Sequence, residues 1–301
     1  MTGAASQAGL ADPLDGPPPY RPGQEVAPGY RVIAHLRRGH DLDAYDAWSD
    51  ERYCRCVLKT PRPDRTHRPR VRRLLLAEGR LLLGLAHPNL VRAYDLVRTR
   101  PGQPVLVLET LTGATLSYLL HGGGREQLAV PDLAQLGRQL CSVIRYLHDR
   151  GYLHLDLKPS NIIADTGRAK VVDLGHARHP GDCPGGVGTP ASMAPEQVLG
   201  GYLGPAADVW GIGLVLFEAA TGVQPFEPPG GPSGEDDCPQ VDHPAPPVSR
   251  LRRLPRALTD ALDGCLRRDP ADRPTLAELW SALATVTGEE APADHPTPRA
   301  G

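Results

Sequence analysis

In the first third of the chain apolar residues recur mostly at every second position, and beyond it at every third or fourth. The alternation predicts five antiparallel strands, over residues 30–36, 44–48, 52–60, 90–97 and 104–109, the last containing Val105-Leu106-Val107-Leu108. A helix over 70–85 interrupts them, because Leu74, Leu75, Leu81, Leu82 and Leu85 make one broad apolar stripe at helical spacing. After Gly113 the helical period predicts helices over 133–150, 206–221, 255–267 and 275–285. Pro131 and an N-capping Asp132 introduce the first of these, and Gly151 stops it. The order implies an α+β fold, a small β-rich lobe followed by a larger α-helical one.

Three stretches lack periodic apolar content. Residues 1–28, rich in Gly, Pro and Ala and including Pro17-Pro18-Pro19, read as a disordered leader, and residues 288–301 as a tail of the same kind. Residues 225–247 read as a long surface loop between helices.

Composition narrows the function classes. A chain of 301 residues can bury a substantial core, and 40% hydrophobic with 23% charged residues is the balance of a soluble protein. A formal net charge of -2 gives no whole-chain reason to expect nucleic acid or anionic membrane as partners. The most apolar stretch, 209–223, is broken by Glu218 and is too short to span a bilayer. Cys54, Cys56, Cys141, Cys183, Cys238 and Cys265 are scattered, without a secretory signal pattern, and read as free thiols of a reducing, cytoplasmic setting.

The chemistry-bearing residues concentrate in two short segments, His154-Leu155-Asp156-Leu157-Lys158-Pro159-Ser160-Asn161 and Asp173-Leu174-Gly175. A phosphoryl group in transfer needs its charge neutralised and its acceptor hydroxyl oriented more than it needs covalent help. Asp156 suits the role of base and Lys158 that of a cation beside the transferring group, while Asn161 and Asp173 offer oxygen ligands for Mg2+. Lys59, Lys158 and Lys170 are the only lysines in an arginine-rich chain, so two of the three fall where a compact ammonium is wanted. Lys59 ends an apolar strand, and alternation puts Val57 on the same face, where it would lie against an adenine while Lys59 reaches the phosphates. Glu78, between leucine pairs of the predicted helix, is placed to hold that ammonium by an ion pair. Each of these residues taken singly also reads as an ordinary loop or surface residue; their number and order favour the site.

With these motifs the chain resembles the eukaryotic-like (bacterial Hanks-type) serine/threonine protein kinases over residues 30–286, with an N-lobe to about 111 and a C-lobe from about 112. Asp156-Leu157-Lys158 is similar to the family's catalytic Asp and the Lys two places on, and Asp173-Leu174-Gly175 to its Asp-Phe-Gly motif. The run from Gly188-Thr189 to Ala194-Pro195-Glu196 matches the segment whose Glu pairs with an Arg, here Arg273. Asp208-Val209-Trp210-Gly211 looks like the start of the buried central helix, with Asp208 bonding the catalytic-loop backbone. The resemblance implies ATP with Mg2+ or Mn2+, and a protein substrate bearing Ser or Thr. It implies Asp156, Lys158, Lys59 and Glu78 as catalytic and Asn161 and Asp173 as metal ligands. The nucleotide-binding set it implies is Leu36, Gly39, Ala44, Val57, Lys59, Leu108, Glu109 and Leu111.

Several departures qualify the expectation. In the segment matching the family's glycine-rich loop, 36–47, only Gly39 of three glycines remains, with Arg37 and Leu42 at the other two positions. Glycines let backbone amides approach phosphates, so a restricted loop and reduced activity are expected, and a nucleotide-binding pseudokinase is the alternative reading. Arg37 reads either as a phosphate contact or as a solvent-facing side chain. Leu155 replaces the arginine that receives a phosphorylated activation segment in many relatives, and residues 174–187 contain no Ser, Thr or Tyr. Arg62, Arg65, Arg68, Arg70, Arg72 and Arg73, with His67, read either as a solvated helix approach or as a docking surface for an acidic partner.

Overall fold

A computed structural model describes residues 19–123, 126–226 and 238–288, which form two compact units. Within the described residues one unit runs to Gly113 and adds Val172–Gly175, and the other takes Ala114–Val171 and everything from His176. The first is β-rich and the second mainly α-helical, the fold class of the protein kinases.

In the first unit six strands pair antiparallel in the order β1 (Glu25–Ala27), β2 (Tyr30–Arg38), β3 (Leu42–Ser49), β4 (Cys54–Pro61), β6 (Pro104–Glu109) and β5 (Ala93–Arg98). Alternation sends Val32, Tyr45, Ala47, Cys56, Leu58, Val105 and Val107 to one face, where they form a buried core with Val26, Ala27 and Tyr30. Ala44, Val57 and Lys59 therefore share the other face, in the register Ala44↔Lys59 and Val57↔Leu108. Helix α1 (Pro69–Leu83) buries Val71, Leu75 and Leu82, and its Gly79 lets the side chains of Leu96 and Leu106 approach its backbone.

The second unit is built on α5 (Pro205–Thr221), buried at every position from Ala207 onward and so apolar all round. Around it stand α2 (Leu116–His121), α3 (Val130–His148), α4 (Pro195–Leu199), α6 (Arg256–Cys265) and α7 (Leu276–Thr287). Strands β7 (Ala114–Thr115), β8 (Ile162–Asp165) and β9 (Arg168–Val171) form a small sheet, and β10 (Gly181–Cys183) pairs with β11 (Gly201–Leu203). Among the described residues no helix is long and apolar enough to cross a membrane.

The structure departs from the sequence expectations in identifiable places. Residues 1–18 of the expected leader, 289–301 of the expected tail and 227–237 of the expected loop lie outside the described residues. The rest of the leader is ordered: β1 pairs with β2, and Val26 and Ala27 add to the core, two apolar side chains too few for periodicity to register. Helix α3 starts at Val130 with Ala129 as its cap, so Asp132 lies in the first turn and caps nothing. Pro131 fits inside that turn because a first-turn N–H needs no intrahelical acceptor. The expectation missed α2 and α4, which are too short to show a 3.6-residue period.

Gly213 of α5 faces α6, where an added Cβ would stand 2.5 Å from Cys265 Cβ and 3.1 Å from Leu266 Cδ2. Cys265 Cβ is fixed to the backbone and cannot swing away, so overpacking outweighs the helix-propensity gain. Gly213→Ala is expected to destabilise the protein by about 1–2 kcal/mol, read from urea unfolding.

Candidate active site

The expected site residues fall into two groupings, one in each unit. In the first, Lys59 at the end of β4 places its Nζ 2.8 and 2.9 Å from the two carboxylate oxygens of Glu78 on α1, and 3.0 Å from Asp173 Oδ1. Burial works against the Lys59 ammonium, but the two carboxylates outweigh it and hold its pKa above the ordinary lysine value. Burial also raises the Glu78 carboxyl, against the pull of Lys59. The backbone N–H of Leu174 donates to Glu78 Oε1 at 3.2 Å, so one glutamate orients both the ammonium and the Asp-Leu-Gly turn. Asp173 itself has φ +71°, a strained conformation for a residue with a side chain, and its Oδ1 accepts from Gly175 N at 3.0 Å.

The other residues expected at the nucleotide also lie in the first unit. Ala44, Val57 and Leu108 share the Lys59 face of the sheet, and Glu109 Oε1 accepts from Arg92 N at 2.9 Å. Leu36 is exposed at a step in the β2–β3 register, and Leu111 is half-buried beyond the end of β6. Gly39 sits in the β2–β3 turn, which is closed by Gly39 N donating to Leu42 O at 2.8 Å. Arg38 makes two 2.9 Å bonds to the fully buried Asp43, and Arg62 donates to Gly39 O at 3.2 Å while gripping Asp64. This hairpin is held by guanidinium contacts as well as by its own ladder.

In the second unit, Asp156, Lys158 and Asn161 meet as one web. Lys158 Nζ lies 2.9 Å from Asp156 Oδ2, and Asn161 Nδ2 donates to Asp156 O and Oδ2, both at 3.0 Å. Thr189 donates from its hydroxyl to Asp156 Oδ1 at 2.7 Å and from its N–H at 3.1 Å, and accepts from Lys158. The loop is anchored from below by Asp208, whose Oδ2 and Oδ1 accept from His154 N and Leu155 N, each at 2.8 Å. His148 Nε2 lies 2.8 Å from the same carboxylate. Burial alone would raise the Asp208 pKa, but His148, His154 and the backbone N–H more than offset it and hold the group below the usual carboxylate range. Leu155 is left with φ +63°, a conformation maintained by these contacts.

Residues 176–188 are held by backbone pairing and one buried side chain of the second unit. Leu153 and Arg178 exchange backbone hydrogen bonds at 2.7 and 3.1 Å, and β10 pairs with β11. Buried Gln197 donates from Nε2 to Leu155 O at 2.9 Å and to Val187 O at 2.7 Å, joining the loop that carries Asp156 to this segment. The expected ion pair is formed: the fully buried Arg273 side chain meets Glu196 at 2.7 and 2.8 Å. Sequence reasoning missed Gln197, Gln240 and His148. Gln240 Nε2 bonds Pro190 O at 2.7 Å and Met193 O at 3.1 Å from inside the stretch read as a surface loop. A lone Gln carries no spacing signal, whereas His148, two residues before the expected end of that helix, was legible only as part of the helix terminus.

A protein-kinase-domain family model matches residues 30–283, and the chain belongs to that family, in its eukaryotic-like serine/threonine branch. It is 36% identical over 222 residues to serine/threonine-protein kinase PkaA of Streptomyces coelicolor, covering 70% of this chain and 39% of that protein. It is 34% identical over 209 residues to CBL-interacting serine/threonine-protein kinase 21 of Arabidopsis thaliana, covering 67% of this chain and 48% of that one. With serine/threonine-protein kinase Pkn1 of Myxococcus xanthus it shares 30% identity over 272 residues, 86% of this chain and 38% of the relative. The chain thus spans less than half the length of each of these three relatives.

Two outcomes test the anchoring contacts. Gln197→Ala removes the shared donor of two carbonyls and is expected to cost about 1–3 kcal/mol, with faster amide exchange over residues 185–188. The Asp208 contribution is complete above the ordinary aspartate pKa of 3.8 and is lost as pH falls through its lower folded value. The stability difference between the native protein and Asp208→Asn, measured by denaturant titration, is therefore expected to shrink below about pH 4.

Proposed function

We propose that this chain is an ATP- and Mg2+-dependent kinase that phosphorylates Ser or Thr hydroxyls of a protein substrate. The observation that carries the reading is the contact of Thr189 with Asp156, in which a threonine hydroxyl donates at 2.7 Å to the carboxylate assigned as base, beside the Lys158 ammonium. An acceptor Ser or Thr hydroxyl would make the same kind of contact. Lys59, fixed by Glu78, binds the α/β phosphates; Asn161 and Asp173 present hard oxygen donors that suit Mg2+, or Mn2+ in its place. When bound, Mg-ATP supplies the transferable group and the metal charge that steadies it. Asp156 orients the incoming hydroxyl and receives its proton, and Lys158 offsets the negative charge that develops beside it. Ala44, Val57 and Leu108 give the adenine an apolar face, with Leu36, Gly39, Glu109 and Leu111 completing the nucleotide set.

The β2–β3 hairpin favours a second reading. With Arg37 and Leu42 in place of glycines and its turn tied down by Arg62, it supports slow turnover, or a nucleotide-binding pseudokinase that acts by shape. The basic run contributes a narrower surface than its length suggests. Arg62 and Arg65 are engaged by Asp64 and Arg68 lies 3.8 Å from Asp41, which leaves the exposed Arg70, Arg72 and Arg73 for an acidic partner. The six cysteines are free, which suits a reducing, cytoplasmic setting.

Transfer of labelled γ-phosphate from Mg-ATP to a mixed Ser/Thr peptide library tests the reading. Asp156→Asn and Lys59→Met are each expected to lower the rate by at least about 100-fold, with Asp156→Asn still binding nucleotide. No transfer by the native protein, with Mg2+-dependent ATP binding retained, would put the pseudokinase first. Because residues 174–187 offer no hydroxyl, phosphatase treatment is expected to leave this segment's amide exchange unchanged, and modification there that strongly activates the protein would contradict the reading.

A further inference from the structure

Cross-strand pairing places three consecutive strands' side chains in one row. Arg37 of β2 is directly opposite Ala44 of β3, and Ala44 is directly opposite Lys59 of β4. Directly paired residues of antiparallel strands project to the same face, so Arg37 and Lys59 stand on one side of the sheet, two strand spacings or about 9–10 Å apart at the backbone. The flanking pairs agree: His35↔Tyr45 and Arg38↔Asp43 are in side-chain contact on the opposite, core side. Ala44, with a single methyl, puts no long side chain between the two cations in that row.

Neighbouring arginines of the first unit are committed elsewhere. Arg38 holds buried Asp43, Arg55 holds Asp46, Arg62 holds Asp64 and Gly39 O, Arg52 reaches Tyr30, and Arg31 pairs with Asp50. Arg37 is exposed and has no side-chain partner among the described residues. Asp46, the acidic residue one pleat along the same face, is already bound by Arg55 in two hydrogen bonds, at 3.1 and 2.7 Å. The backbone beneath Arg37 is fixed by the Gly39–Leu42 bond, the Arg38–Asp43 pair and the Arg62 contacts, so the guanidinium projects from a rigid base.

We propose that Arg37 is a phosphate-binding residue of the nucleotide site, bracketing the polyphosphate from the side opposite Lys59. This rests on the nucleotide reading given above and adds to it a side chain where a glycine-rich turn would use backbone amides. A planar guanidinium suits the task because it presents paired N–H donors to two phosphate oxygens, and its charge compensates for amides that Leu42 keeps from close approach.

The test is calorimetric titration of the full chain with Mg-ADP and, separately, with adenosine, for the native protein, Arg37→Ala, Arg37→Lys and a control, Arg31→Ala. Arg37→Ala is expected to weaken Mg-ADP binding about tenfold, the scale of one charge-assisted contact, while adenosine binding stays within twofold. Arg37→Lys is expected to fall between the two, and Arg31→Ala to match the native protein. An unchanged Mg-ADP affinity in Arg37→Ala would overturn the proposal, and so would equal losses for Mg-ADP and adenosine, since those mark a merely structural effect. A native protein that binds neither ligand would instead overturn the nucleotide reading itself, and this assignment with it.

Discussion

The second unit depends on a carboxylate buried where carboxylates are rarely found. Asp208 lies in the first turn of a helix that is otherwise packed on all sides, and its two oxygens accept the N–H groups of His154 and Leu155 while His148 approaches from α3. An unpartnered charge at that depth would be strongly destabilising; with three donors it becomes a fixed post. The strained Leu155 backbone, the aim of Asp156 and the Gln197 link to residues 187 and 155 all follow from where that post stands. The geometry of residues 154–156 is thus set by a buried helix rather than by the loop's own conformational preferences.

The first unit solves a different problem with the same chemistry. Its β2–β3 hairpin contains one glycine, Gly39, and guanidinium groups help to hold its shape: Arg38 on Asp43, Arg62 on the turn carbonyl. Lys59 and Glu78 make the complementary arrangement on the other face, where the ammonium is shared between two carboxylates. Arginine builds the scaffold here, and lysine is kept for the positions that need a point charge.

Much of this was legible in the sequence because periodicity reports burial. Strands β2 to β6 and the long helices were found to within a few residues, since their apolar faces are continuous. Local motifs likewise announced Asp156, Lys158 and Asn161, because those side chains meet within six residues of chain. Contacts that depend on tertiary packing left no such trace. Val26 and Ala27 look like part of a Pro/Gly-rich leader until β2 is there to pair with them, and Gln197 and Gln240 act through backbone carbonyls whose positions no spacing encodes. Asp132 misled for a related reason: a good cap residue was read as the cap, although Pro131 ahead of it already belonged to the helix.

The segment between Asp173 and Gly188 has one more implication. It is tied by a β-ribbon, a backbone exchange with Leu153 and a glutamine, all of which form as the chain folds. A segment held in this way, without Ser, Thr or Tyr over residues 174–187, offers hydroxyl phosphorylation no place to act. What holds residues 176–187 in place is therefore backbone pairing and one amide side chain, both written into the chain at translation.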